Sequence, residues 1–513
     1  MKYQMSRKIL NYRWIVPVLT IIFILLYFVI NPKLIFIIIF SLIYISIIYY
    51  KFSKSNIEFL YFTLLLLLII DFSFSIEITK SIKIYYYHIL IFIFIIIGAI
   101  NLHKQKGISF KNIIKLNKYN VFITIFLIYA IISILWAPNK LYAIKYIFIY
   151  FNFFIVLMII SRYNKSMKNI KKTITFLIYL FVGIELGGLF EIFGVRFGMR
   201  NHFIEAGYSL ADAYIKRIPV VFFFNPNDYA FYLVIMLIII NVFIMFSEKL
   251  KEKLKLLIIF SIGQVNLIFT ASRTGWICFI LSSIITAFVI FMCNIEKSKK
   301  YKYIKSQIIL LTYIIIFFFV FSINTISRPY FGKIESIPYV GKIYSINSIK
   351  SNDNSNENKN KVDKNNNLEL GGKGSNNERY TLIYNVINGI FIKKHYLGYG
   401  VGNSVVLEAS FNNTNDILNV HSFWFEILAD FGVIIFLYLL YIYINLILGL
   451  SKLSKKSKNI IFSMFLIINI VSLIILIPLS FASSSIISHT IFWIALGLSY
   501  SSIKDKNIQQ INV

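Results

Sequence analysis

Three arginines and one histidine are the residues of this 513-residue sequence best suited to chemistry: Arg217, Arg273, Arg379 and His421. A guanidinium presents a planar fork of donors that matches phosphate oxygens in pairs. An imidazole with an ordinary pKa near ~6.5 exchanges a proton at neutral pH, which a hydroxyl nucleophile requires. Arg273 lies in Thr270–Trp276 (TASRTGW), and Arg379 precedes a Gly-rich turn, Leu397–Ser404 (LGYGVGNS). His421 lies in Asn419–Gly432 (NVHSFWFEILADFG). Each has a plainer reading beside the chemical one, since an arginine at a membrane rim can snorkel and a histidine at a helix start can be an interfacial side chain. Their position beside one another is what raises the chemical reading.

The neighbouring polar residues divide in the same way. If a helix begins at His421, Glu426 and Asp430 are rotated from it by ~140° and ~180°, so they are expected to pair elsewhere or serve packing. In Asn225–Asp228 (NPND) the proline stops local structure and the Asn and Asp suit a helix cap. Asn225, Asn227 and Asp228 are also candidates for substrate contact, as are Gly400 and Asn403 of the Gly-rich turn. Gly398, Gly400 and Gly402 look like half of a dinucleotide fingerprint, but no βαβ unit surrounds them. A turn whose backbone approaches a ligand or a helix end is the better reading. No His, Asp or Glu cluster has metal-ligand spacing, so neither metal nor cofactor is expected.

The elements that position these residues are membrane spans. Apolar residues make up 58% of the chain and charged residues only 14%, against about 25% charged in a soluble protein. Unbroken apolar runs such as 14–30, 34–50 and 84–100 approach the ~20 residues that cross a bilayer core. This composition excludes a soluble enzyme, a nucleic-acid-binding domain and a disulfide scaffold. The fold class is therefore an all-α polytopic membrane protein of about 12–14 transmembrane helices. Fourteen candidate spans are 14–30, 34–50, 57–75, 84–100, 120–136, 142–161, 174–194, 229–246, 256–270, 276–293, 306–322, 423–449, 459–480 and 486–500. The last two are the least defined, because 459–500 could hold a broken helix. The basic start runs into the first span without a small-residue cleavage pattern, so that span is expected to be retained. Within the spans Asp71, Lys145, Glu185, Glu191, Gln264 and Asn266 are candidates for interhelical hydrogen bonds. Cys278 and Cys293, 15 residues apart on one helix, stand about 22 Å apart at ~1.5 Å per residue, too far for a disulfide.

Lysine and arginine orient the spans. With both termini cytoplasmic, 31 basic residues fall on the cytoplasmic side and 5 in the short outer loops. A plasma-membrane protein follows, with its unusual residues gathered outside. The expected organisation is a membrane domain over 1–322, a large extracytoplasmic loop over 323–422, and the last two or three spans over 423–513. About 351–377 the loop is rich in Asn and Lys with almost no apolar content, so a disordered insert is expected. The next stretch, Arg379–Ile392, has helical periodicity.

Taken in order, the SRxxW-type element at Ser272–Trp276, Arg379, the GYGVGN turn and His421 resemble the O-antigen ligase and polymerase superfamily. These membrane glycosyltransferases include O-antigen ligases and polymerases of O-antigen, capsule and teichuronic acid. The motifs cover about residues 217–440. The family's histidine motif reads HN, whereas Ser422 follows His421 here, and the Asn-rich insert and fourteen spans are further departures. The resemblance implies a GT-C-like fold and a donor glycan on polyprenyl (undecaprenyl) diphosphate at the outer face. It implies that Arg273 and Arg379 hold the diphosphate and that His421 assists the acceptor hydroxyl. Arg217 and the NPND segment correspond to the family's element before span eight. Implied partners are the lipid-linked donor, an acceptor glycan, membrane lipid, a chain-length regulator and a flippase, with no nucleic acid.

Elementary chemistry agrees with these roles. Cleavage of a glycosyl–diphosphate bond develops charge that prepositioned arginines stabilise, and no carboxylate nucleophile stands beside His421. Metal-independent single displacement with inversion is expected. An AT-rich residue usage favours a cell without lipopolysaccharide, hence a polymerase rather than a ligase onto a different acceptor. A flippase of lipid-linked oligosaccharides is the alternative from another class. It would show pseudo-symmetric halves and charges inside the spans.

Overall fold

The computed structural model describes residues 46, 50–53, 55–70, 75–77, 83–104, 117–194, 201–205, 218–323, 368–372, 374–482 and 489–504. The chain divides into two compact units, one of residues 1–106 with 158–225 and the other of 107–157 with 226–513. The expected span 14–30, nearly all of 34–50, most of the insert at 351–377, Asp71 and Arg217 lie outside the described residues.

In the first unit, helix α1 (Asn56–Ile69) starts on Ser55, whose hydroxyl accepts the Glu58 amide at 3.3 Å. A short antiparallel hairpin, β1 (Ser75–Glu77) with β2 (Lys83–Tyr85), leads into α2 (Tyr86–Lys104). In chain order α3 (Lys118–Ile132) and α4 (Lys140–Tyr163) follow, and then α5 (Met167–Ile192), which belongs to the first unit. Tyr61 stacks on Tyr163 with ring centroids 3.8 Å apart, and Asn164 donates to the Tyr61 hydroxyl at 2.9 Å. Glu58 closes the group on Lys172 at 2.7 Å. Buried Glu191 binds backbone, accepting the amides of Val220 and Val221 at 2.7 and 2.8 Å. A carboxylate taking two amides fixes the segment that leads to Asn225.

The second unit is built around α6 (Pro226–Phe246), whose apolar residues run all round the helix. Such a helix must be buried, and 89% of its 18-residue apolar core is. It packs against α7 (Leu250–Phe269), α8 (Arg273–Met292) and α13 (Ile460–Leu479). Helix α9 (Lys297–Ile323) packs on α8, and α3 packs on α12 (Phe423–Lys456). Between α9 and α12 stand α10 (Ser375–Ile387), a π-helical turn at Asn388–Ile392, and the short α11 (Ser404–Ala409). The last helix is α14 (Thr490–Lys504).

Eight of the described helices are long and apolar enough to cross a membrane, so the chain is an all-α polytopic membrane protein. Several expected boundaries change. The run 57–75 gives a helix of only 14 residues. Helix α7 is not among the eight, because Lys251, Glu252, Lys253 and Lys255 crowd its first turns. The tail of the expected insert is structured: Ser375–Asn377 are helical, and the Gly371 amide donates to Thr381 at 2.9 Å.

Helix α12 is broken. Gly432 has φ 71 and ψ −173, which separates 423–431 from 433–456. The Gly-rich turn fills the gap. Tyr399 and Gly400 amides donate to the Ala429 and Asp430 carbonyls at 2.8 and 3.1 Å, and the Val433 amide donates to Tyr396 at 2.9 Å. Irregular backbone at membrane depth is tolerated where protein buries it, and Asp430 and Phe431 are fully buried. Val386, Ile390, Leu407 and Val420 pack on Leu428 and Ala429, so α10, α11 and the turn form one small core with the first half of α12.

Candidate active site

Arg273 is set by its own motif. Ala271 adopts a left-handed φ of 54, Ser272 caps α8 by accepting the Gly275 amide at 3.4 Å, and Arg273 is the first helical residue. The Trp276 indole donates to the Leu267 carbonyl at 2.8 Å, tying α8 back to α7. A Cβ at Gly275 would stand 3.1 Å from Cβ of Ala230, so the glycine allows α8 to approach α6 closely. A cation at a helix N-terminus opposes the helix dipole. A bound anion would be favoured by both.

Arg273 Nη2 donates to Asn376 Oδ1 at 3.4 Å, in the first turn of α10. Arg379 stands one turn further along that helix and is half-buried. Burial, and next the charge of Arg273, lower its pKa below the usual guanidinium value, while Glu378 acts the other way. Among the described residues Arg379 makes no hydrogen bond or ion pair. A multiply charged anion would relieve the repulsion between two partly desolvated guanidinium groups.

His421 is the residue before the cap of α12 and has φ 54, a conformation that a non-glycine residue adopts at a cost. Its neighbours Val420, Ser422 and Phe423 are buried and hold it there. Its Nδ1 is buried without a hydrogen-bond partner. Burial, and next the charge of Arg379, lower its pKa to about 4, with Asp228 acting the other way. The imidazole is therefore neutral at physiological pH, with a nitrogen free to accept.

Asp228 lies in the first turn of α6 and its Oδ1 is 3.0 Å from Nε2 of His489. Arg273 begins α8, Arg379 lies on α10, His421 precedes the cap of α12 and Asp228 lies in the first turn of α6, all in the second unit. Asn225 belongs to the first unit, and Asn227 is half-buried on the first turn of α6. His489 could not have been picked from the sequence, where it is one histidine among six in a Ser-rich stretch.

Gly400 and Asn403, candidates for substrate contact, are used inside the turn. Asn403 is fully buried, accepts the Asn139 amide at 2.7 Å and donates to the Asn139 and Val401 carbonyls at 3.2 and 3.0 Å. Gly400 has φ 88 and faces Ala137 where a side chain would stand. Asp430 accepts the Gly402 and Ser404 amides, each at 2.7 Å, so its role is to hold the turn. An apolar cavity lies between α3, α4, α12 and α14, lined by Phe126, Tyr150, Phe423, Ile427, Tyr443 and Trp493 among others.

Residues 256–441 match the family model Wzy_C, described as O-antigen ligase. That segment is similar to an O-antigen ligase domain. The match supports a relation of this segment to the O-antigen ligase and polymerase superfamily, whose members are glycosyltransferase-like membrane enzymes. The segment contains Arg273, Arg379 and His421, and leaves Asp228 and His489 outside its bounds. No curated protein and no solved structure matches the chain.

Proposed function

We propose that this protein is a polymerase of lipid-linked surface polysaccharide, transferring a glycan from a polyprenyl-diphosphate donor to an acceptor sugar hydroxyl at the outer face of the plasma membrane. The observation that carries this reading is the reach of Arg273 to Asn376 on the first turn of α10, the helix that bears Arg379, within the family-matched segment that also holds His421. An anion receptor and a proton acceptor share one site. In the reaction the acceptor oxygen bonds to the anomeric carbon as the bond from that carbon to the diphosphate oxygen breaks. The electron pair leaves on the diphosphate, where the arginines stabilise it, and the hydroxyl proton passes to His421. Proton acceptance of this kind contributes ~10²–10⁴-fold.

Donor and base are linked. Diphosphate on Arg273 and Arg379 offsets the positive charge that disfavours a protonated His421, so donor binding makes the imidazole a stronger base. The apolar cavity that begins two residues from His421, at Phe423, suits the isoprenoid chain. The arginines supply the charge stabilisation a metal would otherwise give, and transfer in one displacement inverts the anomeric carbon. Positive charge concentrated in alternate loops supports the outward placement of the site. The family description favours, as a second reading, a ligase that moves the same donor glycan onto a different acceptor. A flippase and a chain-length regulator are natural partners, delivering donor to the site and limiting product.

The test is purified protein in detergent with a polyprenyl-diphosphate-linked repeat unit. A ladder of lipid-linked products supports polymerisation. A single transfer, only to an added acceptor glycan, supports the ligase. Absence of transfer from any lipid-diphosphate donor overturns the enzyme reading in favour of a transporter.

A further inference from the structure

The helix that bears Arg379 has two unlike faces. On one, Val386 and Ile390 are fully buried in the small core of α10, α11 and the turn. The other is exposed and reads Asn376, Tyr380, Tyr384, Ile387 and Phe391. Steps of three and four keep these residues on one side of a helix. Along that side the chemistry changes from amide to phenol to hydrocarbon. Ile392 is 65% exposed, and the exposed Tyr396 and Leu397 follow in the turn. A stripe graded in this way matches a water–lipid boundary, where tyrosine sits among headgroups and aliphatic side chains lie below them.

The stripe runs onto the lipid-facing surface of the spans. On α12 the exposed apolar residues are Ile434, Leu437, Tyr441, Ile444 and Leu448, spaced three and four apart along one side. That set starts beside the break, where the Val433 amide donates to the Tyr396 carbonyl at 2.9 Å. The Leu397 carbonyl accepts the Tyr129 hydroxyl of α3 at 2.7 Å, and Ile128 and Ile132 of α3 are exposed. Tyr396 and Leu397 are thus bonded to two spans next to residues that face lipid. Their level follows from length. Exposed Lys452 stands 18 residues beyond Ile434, about 27 Å along the helix against ~30 Å for a hydrocarbon core. With Lys452 at one edge of that core, Ile434 and Tyr396 stand near the other.

We propose that α10 and its π-helical turn are seated in the membrane interface, with bilayer lipid covering their exposed face. Tyr380 and Tyr384 lie among the headgroups, and Ile387, Phe391 and Ile392 lie in the upper acyl chains. Exposed Lys394 follows at once, and its ammonium snorkels to lipid phosphates. One consequence rests on the glycan-transfer reading above. Arg379, next to Tyr380, is then held at the depth of a lipid-borne diphosphate, so the donor meets the guanidinium without leaving the bilayer.

Depth measured on the full-length protein in phosphatidylcholine nanodiscs tests the seat without turnover. Cys278 and Cys293 are buried, so a thiol-reactive fluorophore reports from one introduced, exposed cysteine. A nitroxide near the top of the lipid acyl chain should quench Phe391→Cys and Ile387→Cys at least about threefold more than Asn376→Cys, since such a helix seats its apolar face about 5–10 Å into the boundary. A water-soluble nickel chelate should give the reverse order. Turnover tests the consequence. Phe391→Asp should raise the donor KM at least about tenfold, because a small displacement of a positioning group is costly, and Phe391→Trp should stay within about twofold of wild type.

Quenching of positions 387 and 391 by the aqueous chelate rather than by lipid overturns the seat. Relief of that aqueous quenching by added acceptor glycan would make the face a sugar platform, and relief in discs holding two copies would make it a contact between copies; both overturn the proposal. Should Phe391→Cys fail to insert, Ile387→Cys and Leu397→Cys decide on the same terms. Lipid quenching in a protein that transfers no glycan refutes the transferase reading and leaves the seat standing. Glycan transfer with an unchanged donor KM in Phe391→Asp overturns the placement of Arg379 at diphosphate depth.

Discussion

The Asp430 carboxylate accepts the Gly402 amide at 2.7 Å, and its second oxygen accepts the Ser404 amide at the same distance. A fully buried acid two residues before the break in α12 thereby holds the turn that follows Arg379's helix. This is what keeps the small core of α10 and α11 at a set position relative to His421.

Asp430→Ala removes both acceptors and leaves two buried amides unpaired, at about 1–3 kcal/mol each. Asp430→Asn keeps one acceptor and should lose about half as much. Thermal unfolding in detergent should rank wild type above Asp430→Asn, and Asp430→Ala lowest.

Gly432 has φ 71 and a Cβ there would collide with the Tyr396 carbonyl. Gly432→Ala should therefore prevent stable accumulation in the membrane. Gly98→Ala, where a Cβ meets nothing within 4 Å in α2, should change yield and thermal stability little. Fluorescence-detected size-exclusion of the two variants compares them directly.

The arginines are predicted to act by geometry as well as charge. Arg379→Lys and Arg273→Lys keep the charge and lose the fork. Each should reduce transfer at least about tenfold, and the alanine variants more, about 100-fold. Normal activity in both lysine variants would remove the diphosphate role.

The ionisation of His421 sets the acid side of the pH profile. A base works unprotonated, so kcat/KM for the donor, which reports free enzyme, should stay level at neutral pH and fall only as pH drops toward about 4. In kcat, with diphosphate bound, the same fall should appear at higher pH. Coincident acid limbs would argue against the coupling of donor and base.

Glu408, fully buried in α11, has its pKa raised to about 8 by burial, partly offset by the Asn385 amide at 2.8 Å. An unfolded glutamate titrates near ~4.3, so the raised folded value means stability is greatest below that pH and falls as pH rises toward about 8. The melting temperature should decline from pH 5 to 8, and the decline should be shallower in Glu408→Gln.

The membrane class of the fold was legible in the sequence because span formation depends on local apolar length, and backbone groups in lipid must be satisfied within the helix itself. The resemblance carried by the motifs around Arg273, Arg379 and His421 was also legible, since the family match falls on the segment that contains them. The break at Gly432 was not. It is stabilised by carbonyls and amides of the turn at Tyr396–Gly402, some thirty residues away, and nothing near Gly432 announces those partners. Likewise Gly400 and Asn403 gave the same local pattern for ligand contact as for internal packing, and only the approach of Ala137 and Asn139 distinguished the two.

Sequence alone thus determined that this is a bundle of membrane helices with arginines and a histidine in separable motifs. Tertiary structure decided that Arg273 reaches the helix that bears Arg379, and that His489 meets Asp228 from 261 residues away. The reason is physical: helix formation and insertion are decided over one stretch of chain, whereas Coulombic coupling and hydrogen bonding depend on distances that only packing creates.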